Sequence, residues 1–530
     1  MKPLRDVSIA VLAGVTAFAG FANQARACGG FFCDRPNVPT DLPVAQTGEN
    51  VLFAMDATSP GMYRLEAHIQ IFYTGPANRF SWVVPVDALP TLDIGNNAVF
   101  AALDRATRPQ LMVTRKREGT CSDDQRMVGF GGGAADSTGG RAAPGANGGD
   151  KGVDVAFRGN VGPFDAVVVK ADEPGKLKAW LAENMYYLSE EGGRLIDDYV
   201  LEQKYFVALK LLPGKMVNEI QPIVLRFEAR GPCVPLRLTS VASLPDLRVN
   251  LWVLAQHRIV PENYFEITIN EAKFDWLGGG SNYQQLLTEA ANEAGGNAFA
   301  VEYVGSTTPL KETLVPAGGF PSLPILLQQD PEVMQIFQNF QAGQYQGMTI
   351  DQVLEAQVFK PRRAAQALFD SHPKLTRLVT FISPEEMRVD PTFIENSSLP
   401  DVSNLRTADA TLLCGAREYS SCNAPMRISL PDGKSLFFKA PDGDGWCGNP
   451  NPDRSAVDQM PSLERGWKRE AIGEGALRFD NRGKIGAALA AQEKAVVGGC
   501  GCAVGGRSLP APLWLLPIGA AVVFRRRWRR

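Results

Sequence analysis

The sequence predicts an α+β fold: an antiparallel, β-rich body with several packed helices, preceded by a signal peptide and followed by a C-terminal membrane tail. Three observations lead to this prediction. Apolar residues recur at every second position in many short runs, segments with helical spacing lie between some of these runs, and both chain ends carry an apolar stretch. Because strand-like and helix-like segments do not alternate strictly, a doubly wound parallel sheet is not expected.

Residues 50–87 predict the first part of the sheet. Three strand-like runs follow one another across short turns, which indicates an antiparallel meander in which the third run, residues 80–86, pairs back on the second. In the second run, His68 shares a face with Glu66 and Gln70 because alternate residues of a strand point the same way. We expect that face to be solvated.

The rest of the body predicts further elements of both kinds. Apolar alternation predicts strands at residues 161–169, 205–211, 223–227, 236–241 and 249–254. Helical spacing predicts helices at residues 97–107, 174–184, 283–294, 330–340 and 350–358. Gly295 and Gly296 are suited to end the third of these helices.

A glycine-rich segment interrupts the body at residues 121–152. It has ten glycines between Gly129 and Gly152 and few large apolar residues. No GxxxxGK[ST] pattern is present, no strand leads into the segment and no apolar helix follows it directly, so a phosphate-binding loop is not expected. The composition predicts a surface insertion.

The charge distribution argues against nucleic acid as a partner. The whole chain of 530 residues has a net charge of −3, but Cys28 to Gly499 holds 56 acidic and 45 basic residues. An acidic body repels phosphate backbones. The hydrophobic content of 45% also excludes a mainly disordered chain.

Residues 1–27 predict a secretory signal peptide. A short basic region precedes an apolar stretch that ends on Ala25-Arg26-Ala27, which is an A-x-A cleavage site. Cleavage leaves Cys28 first. A lipoprotein cysteine is one interpretation, but Arg26 fits a lipobox poorly, and a disulfide cysteine is the alternative that we favour.

Residues 500–530 predict a sorting and membrane tail. Cys500 and Cys502 precede an apolar run at residues 509–524 and a terminal cluster of arginines. The pattern resembles the myxobacterial C-terminal sorting signal. That resemblance implies removal of the tail by an intramembrane sorting protease and lipidation of Cys500 or Cys502 on the way to the cell surface.

The other cysteines fit an oxidising compartment. The disulfide candidates are Cys28, Cys33, Cys121, Cys233, Cys414, Cys422 and Cys447, an odd number, so one thiol is left over. Many pairings stay open. We favour a pair between Cys28 and Cys33 and a local pair among the last three. A zinc site is not expected, because no CxxC pair is present and the three histidines are far apart in sequence.

Several segments together resemble the bacterial domain-of-unknown-function family numbered 2330. They are Cys28-Gly29-Gly30-Phe31-Phe32-Cys33, residues 80–86, Tyr205–Leu211, Pro261-Glu262-Asn263-Tyr264 and Ser383-Pro384-Glu385-Glu386-Met387. The resemblance extends over residues 28–410 and implies no established reaction. We therefore expect this body domain, a cysteine-containing segment at residues 411–499, and the tail.

No catalytic motif is found, so we expect no catalytic, cofactor-binding or metal-binding residue. No GxSxG, HExxH or Walker pattern occurs. Glu385 and Glu386 follow Pro384 and fit the first turn of a helix, where acids are favoured. A catalytic carboxylate pair is the alternative, but adjacent helical positions do not face each other. Residues 442–445 start like a calcium loop, but the later glycine and glutamate are absent. His257 and His372 suit surface or capping roles.

We therefore expect an exported envelope protein, anchored at the cell surface by its tail, with a binding or structural role. Its expected partners are the membrane, a sorting protease and an extracellular protein or polysaccharide. The alternative is a secreted or periplasmic hydrolase-like enzyme whose acidic site is assembled from distant residues, such as Glu262 and Asp275.

Overall fold

The computed structural model describes residues 45–76, 80–122, 153–186, 188–215, 219–416 and 418–497. The predicted signal peptide, the Cys28 and Cys33 pair, most of the glycine-rich segment, and the tail with Cys500 and Cys502 lie outside the described residues. None of the helices described has the length and apolar character that a membrane span needs.

The described ranges form a mixed α+β fold that is rich in strands, which confirms the predicted class in its coarse form. Strands β1 to β20 are Ala45–Ser59, Met62–Thr74, Ser81–Val86, Thr91–Ile94, Gln110–Thr120, Asp154–Val161, Phe164–Lys170, Tyr205–Leu211, Ile223–Ala229, Ser243–Ala255, Arg258–Pro261, Phe265–Ile269, Ala298–Ser306, Lys374–Ile382, Phe393–Asn396, Leu405–Ala416, Met426–Ser429, Ser435–Phe438, Leu463–Lys468 and Ala476–Asp480. Helices α1 to α11 are Asn97–Thr107, Lys176–Glu183, Glu190–Leu201, Leu236–Thr239, Tyr283–Glu293, Leu323–Gln329, Pro331–Gln341, Ile350–Leu354, Lys360–Ser371, Ser455–Asp458 and Arg482–Val496.

A ten-stranded sheet forms the centre of the fold, in the order β20-β19-β12-β13-β14-β10-β1-β2-β9-β4. Strand β1 lies between β10, with which it is parallel, and β2, with which it is antiparallel. Two further parallel pairs, β12 with β13 and β5 with β16, occur among the sixteen described strand pairs, and the others are antiparallel. Strands β12 and β13 are consecutive and are connected by a crossover that contains α5, whereas the other two parallel pairs join strands far apart in the chain.

A second sheet, in the order β3-β8-β7-β6, packs face to face on the ten-stranded sheet. The apolar side chains between the sheets, such as Phe53, Leu251, Val84 and Val168, form the largest buried cluster. Helices α2 and α3 cover the outer face of the second sheet. Helices α1, α5 and α9 cover parts of the outer face of the ten-stranded sheet, which gives four layers.

A third sheet, in the order β18-β17-β16-β5, packs against α10 and α11. Strand β16 crosses residue 410, the predicted end of the body domain, and β19 pairs with β12 in the ten-stranded sheet. The fold therefore shows no break where the sequence suggested that the segment 411–499 begins.

Two local predictions are wrong. Residues 80–86 form β3, which pairs with β8 in the second sheet, because β9 occupies the position beside β2. Residues 236–239 form the helical turn α4 and not a strand. Leu236 and Leu238 can be buried by a strand or by a helical turn. Here α4 follows Pro235, and proline has no backbone N–H to donate to a neighbouring strand.

The predicted helix bounds agree more closely with the structure than these two strand predictions do. Helix α1 has the predicted bounds, and Asn96 caps it by accepting a hydrogen bond from the Ala98 amide at 2.9 Å. Helices α2, α5 and α7 agree with their predictions to within two residues at each end. The predicted helix 350–358 is α8, which continues through a π-helical turn at Glu355–Phe359 into α9.

Candidate binding surface

Four of the disulfide candidates form two pairs. Cys121 at the end of β5 pairs with Cys414 in β16, and Cys422 pairs with Cys447. The second pair is the local type that the sequence favours, and the first joins residues 293 positions apart, which no local pattern indicates. Cys233 is the free cysteine of the described residues.

Cys233 borders a small cavity between the ten-stranded sheet and β3. The cavity has a volume of about 40 Å³, room for a few water molecules, and apolar side chains such as Phe53, Ile69 and Val84 line most of it. Burial raises the pKa of the Cys233 thiol. Cys233 is half-buried. The same cavity is also bordered by three charged side chains, Asp390, Lys204 and Asp87.

Asp390 supplies the main polar contacts at this cavity. Its carboxylate accepts hydrogen bonds from the Tyr199 hydroxyl at 2.7 Å and from the Arg237 backbone amide and Nε at 2.8 and 3.0 Å. Burial, followed by the Asp390 charge, raises the pKa of Tyr199. Both oxygens of the Asp390 carboxylate accept hydrogen bonds from donors of the protein. These bonds join α3 and α4 to the loop before β15.

The acids of the enzyme alternative make local contacts. Glu262 is exposed and accepts a hydrogen bond from the Thr392 hydroxyl at 2.9 Å. Asp275 accepts hydrogen bonds from the Gly278 amide and the Ser281 hydroxyl in a tight loop. The hydrolase hypothesis stays a prediction without a described site.

Other candidate residues have structural contacts. Glu386 caps a 3₁₀ turn by accepting from the Ser383 amide at 2.8 Å. His257 is exposed, and His372 is buried at the end of α9, with Nδ1 2.9 Å from the Leu368 carbonyl oxygen. In the part of the chain that the structure describes, no three His, Cys, Asp or Glu side chains are placed to hold a metal ion.

The predicted solvation of His68 is wrong, because its side chain is buried beneath the loop before α1. Its Nε2 lies 3.0 Å from Glu66 Oε1, and Arg226 from β9 donates to the same carboxylate at 2.6 and 3.1 Å. Burial alone would raise the pKa of Glu66, but the hydrogen bonds and charges of His68 and Arg226 lower it to about 2. This carboxylate therefore stays ionised.

Next to this cluster, polar side chains cross the outer face of the ten-stranded sheet. We name this set the amide ladder; its residues are Arg248 and Asn250 in β10, Asn50 in β1, Gln70 in β2 and Asn97 in α1. Asn250, Asn50 and Gln70 are direct cross-strand partners. Their side chains therefore stand side by side on one face.

Each member of the amide ladder donates to the next. Arg248 Nε donates to Asn250 Oδ1 at 3.1 Å, and Asn250 Nδ2 donates to Asn50 Oδ1 at 2.7 Å. Asn50 Nδ2 donates to Gln70 Oε1, and Gln70 Nε2 donates to Asn97 Oδ1, both at 2.7 Å. A chain of hydrogen bonds in one direction polarises its members and holds the side chains in fixed orientations.

Phe72 stands beside the amides of the ladder, in the neighbouring cross-strand row to which Arg248 also belongs. This row contains Phe72, Gly48, Arg248 and Phe381, in that order. Phe72 is 45% exposed and Arg248 is also exposed, whereas Phe381 is buried under α5. A Cβ atom at Gly48 would lie only 3.1 Å from the Phe72 ring. The absence of a side chain at Gly48 therefore leaves room for the ring. We call Phe72 together with the amide ladder the ladder surface.

No sequence pattern indicates the ladder surface as a whole, because β10 is far from β1 and β2 in the chain. Asn50 and Asn250 are separated by 200 positions. The local signal that was present is an asparagine inside each of two strongly apolar strands, where strand propensity disfavours it.

Comparison with known protein families gives one match. Residues 45–317, just over half of the chain, match the family described as an uncharacterized protein conserved in bacteria, DUF2330. The chain belongs to this family. The DUF2330 match includes β1 to β13 and every residue of the ladder surface. Asp390, the three disulfide cysteines Cys414, Cys422 and Cys447, and the third sheet apart from β5 lie outside it. No curated protein and no solved structure matches the chain.

Proposed function

We propose that this protein is exported through the inner membrane, anchored at the cell surface or outer membrane by its C-terminal tail, and acts there by binding. Its partners are the membrane through the tail, the protease that sorts it, and an extracellular protein or polysaccharide. The DUF2330 family brings no reaction to this proposal.

The two disulfide pairs, Cys121 with Cys414 and Cys422 with Cys447, carry the proposal. Disulfides persist in oxidising compartments outside the cytoplasm and are rare inside it. They support export independently of the two end segments, whose sequence patterns are the other support. The ladder surface supports a binding role, because it fixes exposed groups on a rigid sheet.

Mass spectrometry of the native protein from its own cell envelope, without reducing agent, tests the proposal. We expect a chain that starts at Cys28, ends near Cys502, carries an acyl group and has both described disulfides closed. The matched control is a Cys500→Ser/Cys502→Ser variant, which should lack the acyl mass and leave the surface fraction. An intact tail, a lipid on Cys28 instead, or reduced Cys121 and Cys414 would contradict the proposal.

A further inference from the structure

We propose that the ladder surface binds a neutral polysaccharide, with one sugar ring packed on Phe72 and its hydroxyl groups hydrogen-bonded to the exposed guanidinium of Arg248, which the buried amides hold in place. This proposal rests on the proposed binding function and names its ligand class. Three observations carry it.

The first is the exposed ring of Phe72. It stands on a strand in the interior of a sheet, beside Gly48, and 45% of its surface is open. The C–H face of a sugar is apolar and packs on an aromatic ring, whereas its hydroxyl groups remain free for polar partners. A ring fixed beside planar polar groups suits this two-sided chemistry.

The second is the set of open donors beside the ring. Arg248 Nε is held by Asn250, and the guanidinium forms no ion pair with a carboxylate among the described residues. Its terminal nitrogens can therefore donate to ligand hydroxyls. Asn250 and Asn50 are buried and act as positioning residues, because their hydrogen bonds orient Arg248 and Gln70.

The third is charge. The amide ladder consists of uncharged amides with a single cation, and the region from Cys28 to Gly499 has 56 acidic against 45 basic residues. Such a body repels an anionic polymer. The chemistry therefore fits a neutral hexose polymer better than a uronic acid polymer, a teichoic-type phosphate polymer or nucleic acid.

Phe72 and Arg248 remain exposed beside the helices on this face. Helix α1 covers the sheet next to Leu52 and Trp252, and α5 covers it next to Val379 and Phe381. The row of Phe72 and Arg248 lies on the side of the amide ladder away from Leu52 and Trp252. A chain of sugars could thus lie across β2, β1 and β10.

Affinity electrophoresis and titration calorimetry with the purified, oxidised mature chain test the proposal. The probes are soluble dextran, pullulan and mannan, with polygalacturonate as the anionic comparison. We expect at least one neutral polymer to bind, with little dependence on salt. Phe72→Ala should weaken that binding about tenfold, and Arg248→Gln should weaken it similarly.

The matched control is Phe157→Ala in β6, which removes a ring that is 38% exposed at a distance from the ladder. It should leave binding unchanged. The proposal is overturned if no neutral polymer binds, if only polygalacturonate binds, or if Phe72→Ala binds as well as the original chain. Asn250→Ala tests the positioning role of the ladder. It should reduce the affinity for the neutral polymer even though Phe72 and Arg248 are still present. These experiments use purified protein and do not depend on where the protein is located. A lack of polymer binding would leave the export proposal intact, and a lack of anchoring would leave the polysaccharide proposal intact.

Discussion

Glu49 and Glu66 lie on the neighbouring strands β1 and β2 but on opposite faces of the ten-stranded sheet, and their pKa values move in opposite directions. Glu49 faces the apolar layer between the sheets, where burial raises its pKa to about 7 although a hydrogen bond from Gln46 opposes the change. Glu66 faces outward, where His68 and Arg226 lower its pKa to about 2 against the effect of burial. Partners, and not burial alone, decide the charge of a carboxylate here.

The same contrast applies to the uncharged residues of β1 and β10. Their inner face carries Val51 and Leu251 within a continuous apolar cluster. Their outer face carries Asn50 and Asn250, which satisfy each other through the amide ladder. The inner face thus stabilises the fold by apolar burial, whereas the outer face combines buried apolar residues such as Trp252 with a row of hydrogen-bonded amides.

The largest expected effect is on the inner face. Leu251→Ala removes a fully buried side chain and leaves a cavity, so we expect it to lower the free energy of unfolding by about 3 kcal/mol. Phe72→Ala on the outer face should cost less than about 1 kcal/mol, because the ring is half exposed. Chemical denaturation of both variants measures the difference. Equal losses in the free energy of unfolding would show that the two positions do not differ in this way.

The pH dependence of Glu49 should be nearly as large. Its pKa is raised from 4.5 to about 7, so the folded state favours the protonated carboxyl. This contribution is fully present below pH 4.5 and is lost as the pH rises through 7, a change of about 3 kcal/mol. Glu49→Gln should remove this loss, which denaturation between about pH 4 and pH 8 would show. A variant with the original pH profile would contradict the assignment.

Glu66 should act at the other end of the pH scale. Its pKa is lowered from 4.5 to about 2, so its contribution is present above pH 4.5 and is lost as the pH falls through 2. We expect Glu66→Gln to cost about 2 kcal/mol at neutral pH and to flatten the acid side of the stability curve. Arg226→Met should flatten it in part, because it removes one of the two partners, His68 and Arg226, that lower the pKa of Glu66. An unchanged acid limb in both variants would show that this ion pair does not stabilise the fold.

In the amide ladder we expect a smaller effect than at Leu251 or at the two glutamates. Asn50→Ala leaves Asn250 Nδ2 and Gln70 Oε1 without their partners, and we expect a loss of about 1–2 kcal/mol. Asn50→Ala combined with Asn250→Ala should cost less than the two single changes added together, because the two residues share a bond. Strict additivity in denaturation experiments would show that the ladder is not one unit.

The sequence predicted elements whose cause is local and missed contacts whose cause is distant. Helix α1 follows from its apolar spacing and its Asn96 cap, both within a dozen residues. The partner of β3 could not be predicted, because β8 is more than a hundred positions away and the period-two pattern says only that a strand has a buried face.

The ladder surface could not be predicted from the sequence for the same reason. Asn50, Gln70 and Asn250 become neighbours only through the register of three strands, and a shift of one residue would turn them to the inner face. The local disulfide of Cys422 could be anticipated from spacing, whereas the Cys121 pair could not.

The Cys121–Cys414 bond has a consequence for the integrity of the molecule. The glycine-rich segment begins at this cysteine and lies between the two bonded positions. If a protease cuts the chain between residues 123 and 152, the piece with β1 to β5 stays covalently bonded to the piece with β6 to β20. The cut protein would run as two bands on a reducing gel and as one band without reductant.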